Sequence, residues 1–309
     1  MDILVTGAKG LIGTALRSAL SKKGYNVKSL TRTPTRTPHG NDPSEISWDP
    51  TRGILDPQSL DGINAVVHLA GEPIAGLRWT KEKKRRIRES RTKGTELLAE
   101  ALVAQEHPPT VLLSGSAIGF YGDTQDTEVN ENTPHGNGFL AEVCQEWEAA
   151  TQVTQEAGIR VAHLRTGIVL SRAGGALAKQ LPLFRSGMGG KFGSGKQYLS
   201  WVSIHDAVGA IIHLLEDDTQ SGPYNITAPH PVTNEEFTKA LGSVLHRPTF
   251  LTTPAPLLRL ALGAAQANDT LLANQRVVPT RLQESNYEFQ DTTIEPALER
   301  LLTIERPER

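Results

Sequence analysis

The sequence predicts an α/β protein, a doubly wound parallel sheet followed by a smaller C-terminal lobe. Three observations point there. Apolar strand-like runs alternate with amphipathic helical runs over the first half of the chain, and the first strand leads straight into a three-glycine turn. Beyond Gly167 the alternation gives way to clustered glycines and scattered prolines.

The first strand is Ile3-Leu4-Val5, apolar throughout, as a strand covered on both faces must be. Gly7, Gly10 and Gly13 follow at spacings of three, and Leu11, Ile12, Ala15, Leu16, Ala19 and Leu20 mark a helix beginning near Leu11. Glycines allow a tight turn and close approach of a ligand, while the helix start offers free N–H groups and a positive dipole end to phosphates. Strand, glycine turn and helix in this order are the context of a dinucleotide site. The second strand, over 27–30, ends in Thr31-Arg32. NAD-binding proteins commonly place an Asp or Glu there for the ribose 2′-hydroxyl. A guanidinium instead holds a 2′-phosphate by charge-assisted bonds, so NADP(H) is the expected cofactor. The alternative for Arg32 is a solvated surface arginine.

Pro34, Pro38, Pro43, Pro50 and Pro57 then predict a long, partly irregular surface crossing. Strand character returns over 65–69 and ends in Ala70-Gly71; a helix is expected over 80–104, a strand over 110–113, a helix over 138–157 and a strand over 160–165. Ligands of such sheets bind at the strands' carboxyl ends, which places Gly71, Ser114 and Arg165 on the edge that carries Gly7. The expected organisation is a nucleotide-binding domain over 1–167, completed by parts of 200–228, and a substrate lobe over 168–309. In that lobe a helix is expected after the turn at His205-Asp206, with short segments around Tyr224-Asn225-Ile226 and Phe289. The segment holding Gly187, Gly189, Gly190, Gly193 and Gly195, with Lys191, Lys196 and Gln197, reads either as a mobile lid over phosphate or sugar or as an irregular turn.

The 309 residues suffice for one large domain with a lobe or for two modest domains. With 32 basic and 34 acidic residues there is no global field calling for nucleic acid or membrane. The single cysteine, Cys144, excludes an internal disulfide framework, and no signal-like or membrane-length apolar run precedes the first strand. A cytoplasmic protein without a metal site is expected.

Several segments together resemble the extended short-chain dehydrogenase/reductase superfamily, which includes nucleoside-diphosphate-sugar epimerases. These are the turn Thr6 to Gly13, Val67-His68-Leu69-Ala70-Gly71, Arg91-Thr92-Lys93-Gly94-Thr95, and Ser114-Gly115-Ser116 followed by Gly119-Phe120-Tyr121-Gly122. Other marks are similar to an epimerase-like subgroup carrying a C-terminal domain of unknown function. They include Ala70-Gly71-Glu72-Pro73-Ile74, Arg78-Trp79, Arg165-Thr166-Gly167, Trp201-Val202-Ser203-Ile204-His205-Asp206 and Gln275-Arg276-Val277-Val278-Pro279. The resemblance implies a Rossmann-type fold that binds NADP(H) through Gly7, Gly10, Leu11, Ile12, Gly13, Thr31, Arg32, Leu69, Ala70, Gly71, Glu72 and Arg91, with Ser114 and Arg165 on the same edge. By family analogy alone it also implies a homodimer through the helices at 81–104 and 138–157.

The superfamily usually carries Tyr-x-x-x-Lys on the helix after the serine strand, the ammonium lowering the phenol's pKa. Here Leu140 and Cys144 occupy those two positions, and none of the five tyrosines has a lysine four residues on. Phe139, Leu140, Val143, Cys144 and Trp147 read as a buried helical face. Ser116 and Tyr121 remain the candidate catalytic residues, each with a packing alternative. His68, in an apolar strand, reads first as a hydrogen-bonded structural histidine and second as a catalytic one, and Glu72 as a contact to ribose or the nicotinamide amide or as a turn cap. Arg165, Lys191 and Lys196 are candidates for an anionic substrate, although either lysine reads first as a surface residue. Between Lys81 and Lys93 eight of thirteen residues are basic, which reads as a solvated helix face with Arg91 turned to the cofactor, in preference to a nucleic-acid patch. Two functions stay open: hydride transfer on a small polar or sugar-nucleotide substrate, or an NADP(H)-binding sensor or scaffold without turnover.

Overall fold

The computed structural model describes residues 1–37, 40–76 and 78–303, except the side chains of 36, 37, 40 and 41; Pro38 lies outside the described residues. The chain opens with β1 (Asp2–Thr6), α1 (Leu11–Lys22) and β2 (Asn26–Thr31), followed by β3 (Glu45–Asp49), β4 (Ile54–Leu55) and β5 (Ala65–His68). Next come α2 (Lys81–Val103), β6 (Val111–Ala117), α3 (Phe139–Ala149), α4 (Gln152–Glu156) and β7 (Arg160–Thr166). β8 (Ile168–Ser171), α5 (Gly175–Arg185), β9 (Gly190–Phe192), β10 (Trp201–Ser203), α6 (Ile204–Glu216) and β11 (Gly222–Ile226) follow. The lobe ends with α7 (Asn234–Leu245), β12 (Leu251–Thr253), α8 (Ala255–Leu262), α9 (Ala264–Asp269), α10 (Thr280–Glu284) and α11 (Ile294–Thr303).

The main sheet has eight strands in the order β11-β7-β6-β5-β1-β2-β3-β4, all neighbours parallel except β3 with β4. Both faces are covered, which explains why Ile3, Leu4 and Val5 are all fully buried. Alternation along β1 sends Ile3 and Val5 to the side of Leu16, Leu20 and Ile211, from α1 and α6, and Leu4 to the side of Leu98 and Leu102 on α2. The order reverses at β1, so the crevice opens at the carboxyl ends of β1, β2 and β5.

Three expectations need correction. The proline-rich crossing contains a sheet strand: Pro43 and Pro50 bracket β3, whose Ser47 is level with Thr31 and whose Trp48 is buried beneath α2. The helix expected over 138–157 is broken at Ala150-Thr151. The Thr151 hydroxyl donates to the Glu148 carbonyl at 2.8 Å and contacts His163 Nε2 at 2.9 Å, a local bond that competes with the helical ladder. The expected turn at His205-Asp206 is already helix, capped by the Ser203 hydroxyl, which accepts the Asp206 N–H at 3.1 Å.

Tyr224, Asn225 and Ile226 form the edge strand β11 of the main sheet. The lobe has its own core, in which Leu177 and Leu181 of α5 meet Phe237 and Leu241 of α7 and Leu298 of α11. The glycine-rich segment is tied into it. Gly190 is paired with Leu251, Lys191 Nζ is 3.2 Å from Glu235, and buried Gln197 donates to the carbonyls of Phe192 and Leu271.

Candidate functional site

β1 ends at Thr6, and Gly7 then turns with φ of 64°, where an L side chain is strained. A Cβ on Gly7 would lie 2.6 Å from the Leu69 carbonyl oxygen, so the turn after β1 and the segment after β5 interlock. A Cβ on Gly13 would lie 2.3 Å from the Gly7 carbonyl oxygen, so Gly13 lets α1 close onto its own turn. Between these elements opens a cleft of about 700 Å³.

Gly7 and Gly10, then Thr31 and Arg32, then Leu69, Ala70, Gly71 and Glu72 line that cleft. The other expected cofactor residues stand behind it. Leu11 packs on Gly174 and Gly175, and Ile12 faces the core. Arg91 donates to the carbonyls of Glu72 and Ile87, both at 3.1 Å, and lies over the Trp147 ring, so it holds the segment after β5 in place. Ser114 is level with His68, short of the end of β6, and shares with Leu112 the face that carries α2.

Sequence reasoning missed Lys9, Trp48, Pro50, Arg85, Arg86 and Lys93, which also line the cleft. Lys9 stands between two of the motif glycines, a signal that was available. Trp48 depended on β3. Of the basic run, Arg85, Arg86 and Lys93 reach the cleft, whereas Arg91 turns to backbone. Five cations, Lys9, Arg32, Arg85, Arg86 and Lys93, thus face two carboxylates, Glu72 and Glu89. Most are engaged: Lys9 with Glu45 at 3.2 Å, Arg85 with Glu82 and Glu89 at 2.7 Å each, and Lys93 with Glu89 at 3.0 Å. Arg32 is exposed and has no carboxylate partner among the described residues. Glu72 is held below the usual carboxylate range, first by its hydrogen bond from Lys83 at 2.7 Å and then by the charges of Lys83 and Arg86.

Ser116, Tyr121 and Arg165 come together away from the cleft lining. Each is buried, 5%, 3% and 4% exposed. Ser116 Oγ donates to Glu148 Oε1 at 2.7 Å, and the Arg165 guanidinium binds both Glu148 oxygens. The Tyr121 hydroxyl accepts from Arg165 at 3.0 Å and donates to Asn225 Oδ1 at 2.8 Å. Its proton and a lone pair are both committed, and burial raises its pKa against the lowering effect of the Arg165 charge and hydrogen bond. Cys144 is buried, its thiol pushed up to about 11 by desolvation. Lys196 lines a second, more open cavity of about 350 Å³ with Ser194, Gln197, Arg259 and Asn274. Among the described residues no helix is long and apolar enough to cross a membrane, and no metal-binding group of three or more His, Cys, Asp or Glu occurs.

A parallel sheet with a glycine turn between its first strand and helix, and a cleft at the strands' carboxyl ends, is a Rossmann-type fold. The chain belongs to the NAD dependent epimerase/dehydratase family, whose model matches residues 3–227, and residues 253–301 match a domain of unknown function, DUF1731. It is 42% identical over 296 residues to an epimerase family protein of Mycobacterium bovis, covering 96% of each chain. It is 36% identical over 308 residues to a chloroplastic epimerase family protein of Arabidopsis thaliana, covering 98% of this chain and 87% of that one. The crystal structure of human epimerase family protein SDR39U1 (isoform 2) with NADPH superposes with a TM-score of 0.89 at 31% identity, covering 99% of this chain and 100% of that one.

Proposed function

We propose that the protein binds NADP(H) in the cleft between β1, β2 and β5 and uses it for hydride transfer on a small polar substrate, a sugar nucleotide being the type expected. The observation that carries the cofactor assignment is Arg32 at the tip of β2, without a carboxylate partner among the described residues and set in a cation-rich rim, where an NAD-selective site commonly has an acid. The NADPH-bound human relative supports it. Gly7, Gly10 and the start of α1 would take the pyrophosphate, Thr31 and Arg32 the 2′-phosphate, and the wall from Leu69 to Glu72 the rest of the dinucleotide. When bound, the nicotinamide supplies the hydride chemistry. Lys196 and Arg259, at the second cavity, are suited to a polar, anionic substrate. The domain division belongs to this reading: residues 1–167 with parts of 200–228 hold the cofactor, and the remainder forms the substrate lobe.

A second reading, an NADP(H) sensor or scaffold without turnover, is favoured by one observation. Ser116 and Tyr121 are closed into the Glu148–Arg165 network, and Leu140 and Cys144 replace the usual acid–base pair. A homodimer through α2 and α3 would bring charged faces together, since Arg88 already bridges Glu142 and Glu146, at 2.9 and 3.2 Å. Purified protein should enhance NADPH fluorescence and gain thermal stability with NADPH; absence of both refutes either reading. NADPH consumption with a carbonyl or nucleotide-sugar from a broad panel supports hydride transfer, and binding without consumption supports the sensor.

A further inference from the structure

Thr6, the last residue of β1, and His68, the last residue of β5, are register partners in the sheet, and both are fully buried. A threonine hydroxyl has one proton and two acceptor sites. The backbone N–H groups of Leu69 and Ala70 both donate to Thr6 Oγ1, each at 3.1 Å, which fills the acceptor sites. The proton is left for His68 Nδ1, 2.7 Å away. A ring nitrogen that accepts carries no proton, so the imidazole proton resides on Nε2 and donates to Thr95 Oγ1 of α2 at 3.0 Å. Desolvation acts in the same direction and keeps the ring neutral, with its pKa lowered to about 4.

We infer that His68, as the neutral Nε2–H tautomer, is a positioning residue of the nucleotide cleft. By taking the Thr6 proton it makes the Thr6 oxygen a double acceptor that pins Leu69 and Ala70. These two residues are cleft wall, and the Leu69 carbonyl occupies the space a Cβ on Gly7 would need, so the wall and the glycine turn pack against each other. A Nδ1–H tautomer, or a protonated ring, would donate toward Thr6 and displace one of the two backbone donors. The role rests on the cofactor reading above. A wall already ordered in the free protein lowers the ordering cost of binding, so its loss appears in cofactor affinity as well as in stability.

The tautomer is read first, in ligand-free ¹⁵N-labelled protein by long-range ¹H–¹⁵N correlation. Nδ1 should be unprotonated and Nε2 protonated, unchanged from pH 8 to pH 5.5; a protonated Nδ1 overturns the inference. NADPH titration then compares variants while melting temperature is followed. Thr6→Val removes three hydrogen bonds, most of whose cost falls on stability, and should weaken NADPH about tenfold; Thr6→Ser should restore it. A Thr6→Val protein that melts lower yet binds NADPH like the wild type overturns the positioning role and leaves the cofactor reading intact. Where Thr6→Val does not fold, His68→Asn, which keeps an acceptor near the Nδ1 position, should retain the affinity that His68→Leu loses; equal affinities overturn the role. A wild type that never binds NADPH refutes the cofactor reading itself, a distinguishable failure that also ends the role.

Discussion

Arg165 and Glu148 meet edge to edge inside the protein, Nε to Oε1 and Nη2 to Oε2, both at 2.8 Å. The guanidinium also lies 3.5 Å from the centroid of the Phe120 ring. A bidentate pair this deep is costly to break from one side, because the remaining charge stays buried without its counterion. Glu148→Ala should therefore destabilise the protein by about 3–5 kcal/mol. Ser116→Ala, which removes one donor from a carboxylate already held by Arg165, should cost about 1 kcal/mol. Urea denaturation measures both, and a Ser116→Ala loss as large as that of Glu148→Ala would show that the serine, not the ion pair, holds the network.

Arg32 can be tested by charge reversal. It is exposed, so Arg32→Asp should leave the melting temperature nearly unchanged. The loss of a charge-assisted contact to the 2′-phosphate should weaken NADPH roughly ten- to a hundredfold and leave NADH little affected. Fluorescence titration with the two cofactors decides it, and parallel losses would remove Arg32 from the 2′-phosphate site.

How far the sequence could be read follows from how local each signal was. The turn from Gly7 to Gly13 and the strand around His68 depend on neighbouring residues, and both lie where the sequence pattern placed them. β3 was illegible because Pro43 and Pro50 dominate its surroundings, while its strand character comes from pairing with β2. Trp48 in the cleft was lost with it. The break at Thr151 depends on His163 and Glu148, contacts no periodicity records. Ser116 and Tyr121 read as catalytic candidates and Arg165 as a separate anion candidate; their closure into one network runs through Glu148, a contact that no local pattern in the sequence records.

Cys144 should be chemically silent in the folded protein. It is 4% exposed, and burial holds its thiol at about 11, so little thiolate exists at pH 8. A disulfide reagent should label it only after denaturant is added. Labelling of native protein at the rate of a free thiol would mean that α3 opens readily and that Cys144 is no fixed part of the core.

Stability should fall on mild acidification through His68. The buried ring has a pKa of about 4 against an ordinary 6.5, so between these values the unfolded chain binds a proton that the folded protein excludes. Folding is thus favoured fully above pH 6.5, and this contribution is lost as the pH falls toward 4, by roughly 3 kcal/mol over the window. Other groups titrate in the same range, and the difference between wild type and His68→Asn cancels them. Denaturation from pH 7 to pH 4 should show the wild type losing stability more steeply than His68→Asn. Parallel curves would mean that the ring gains its proton in the folded state as readily as in the unfolded one, which the double acceptance at Thr6 forbids.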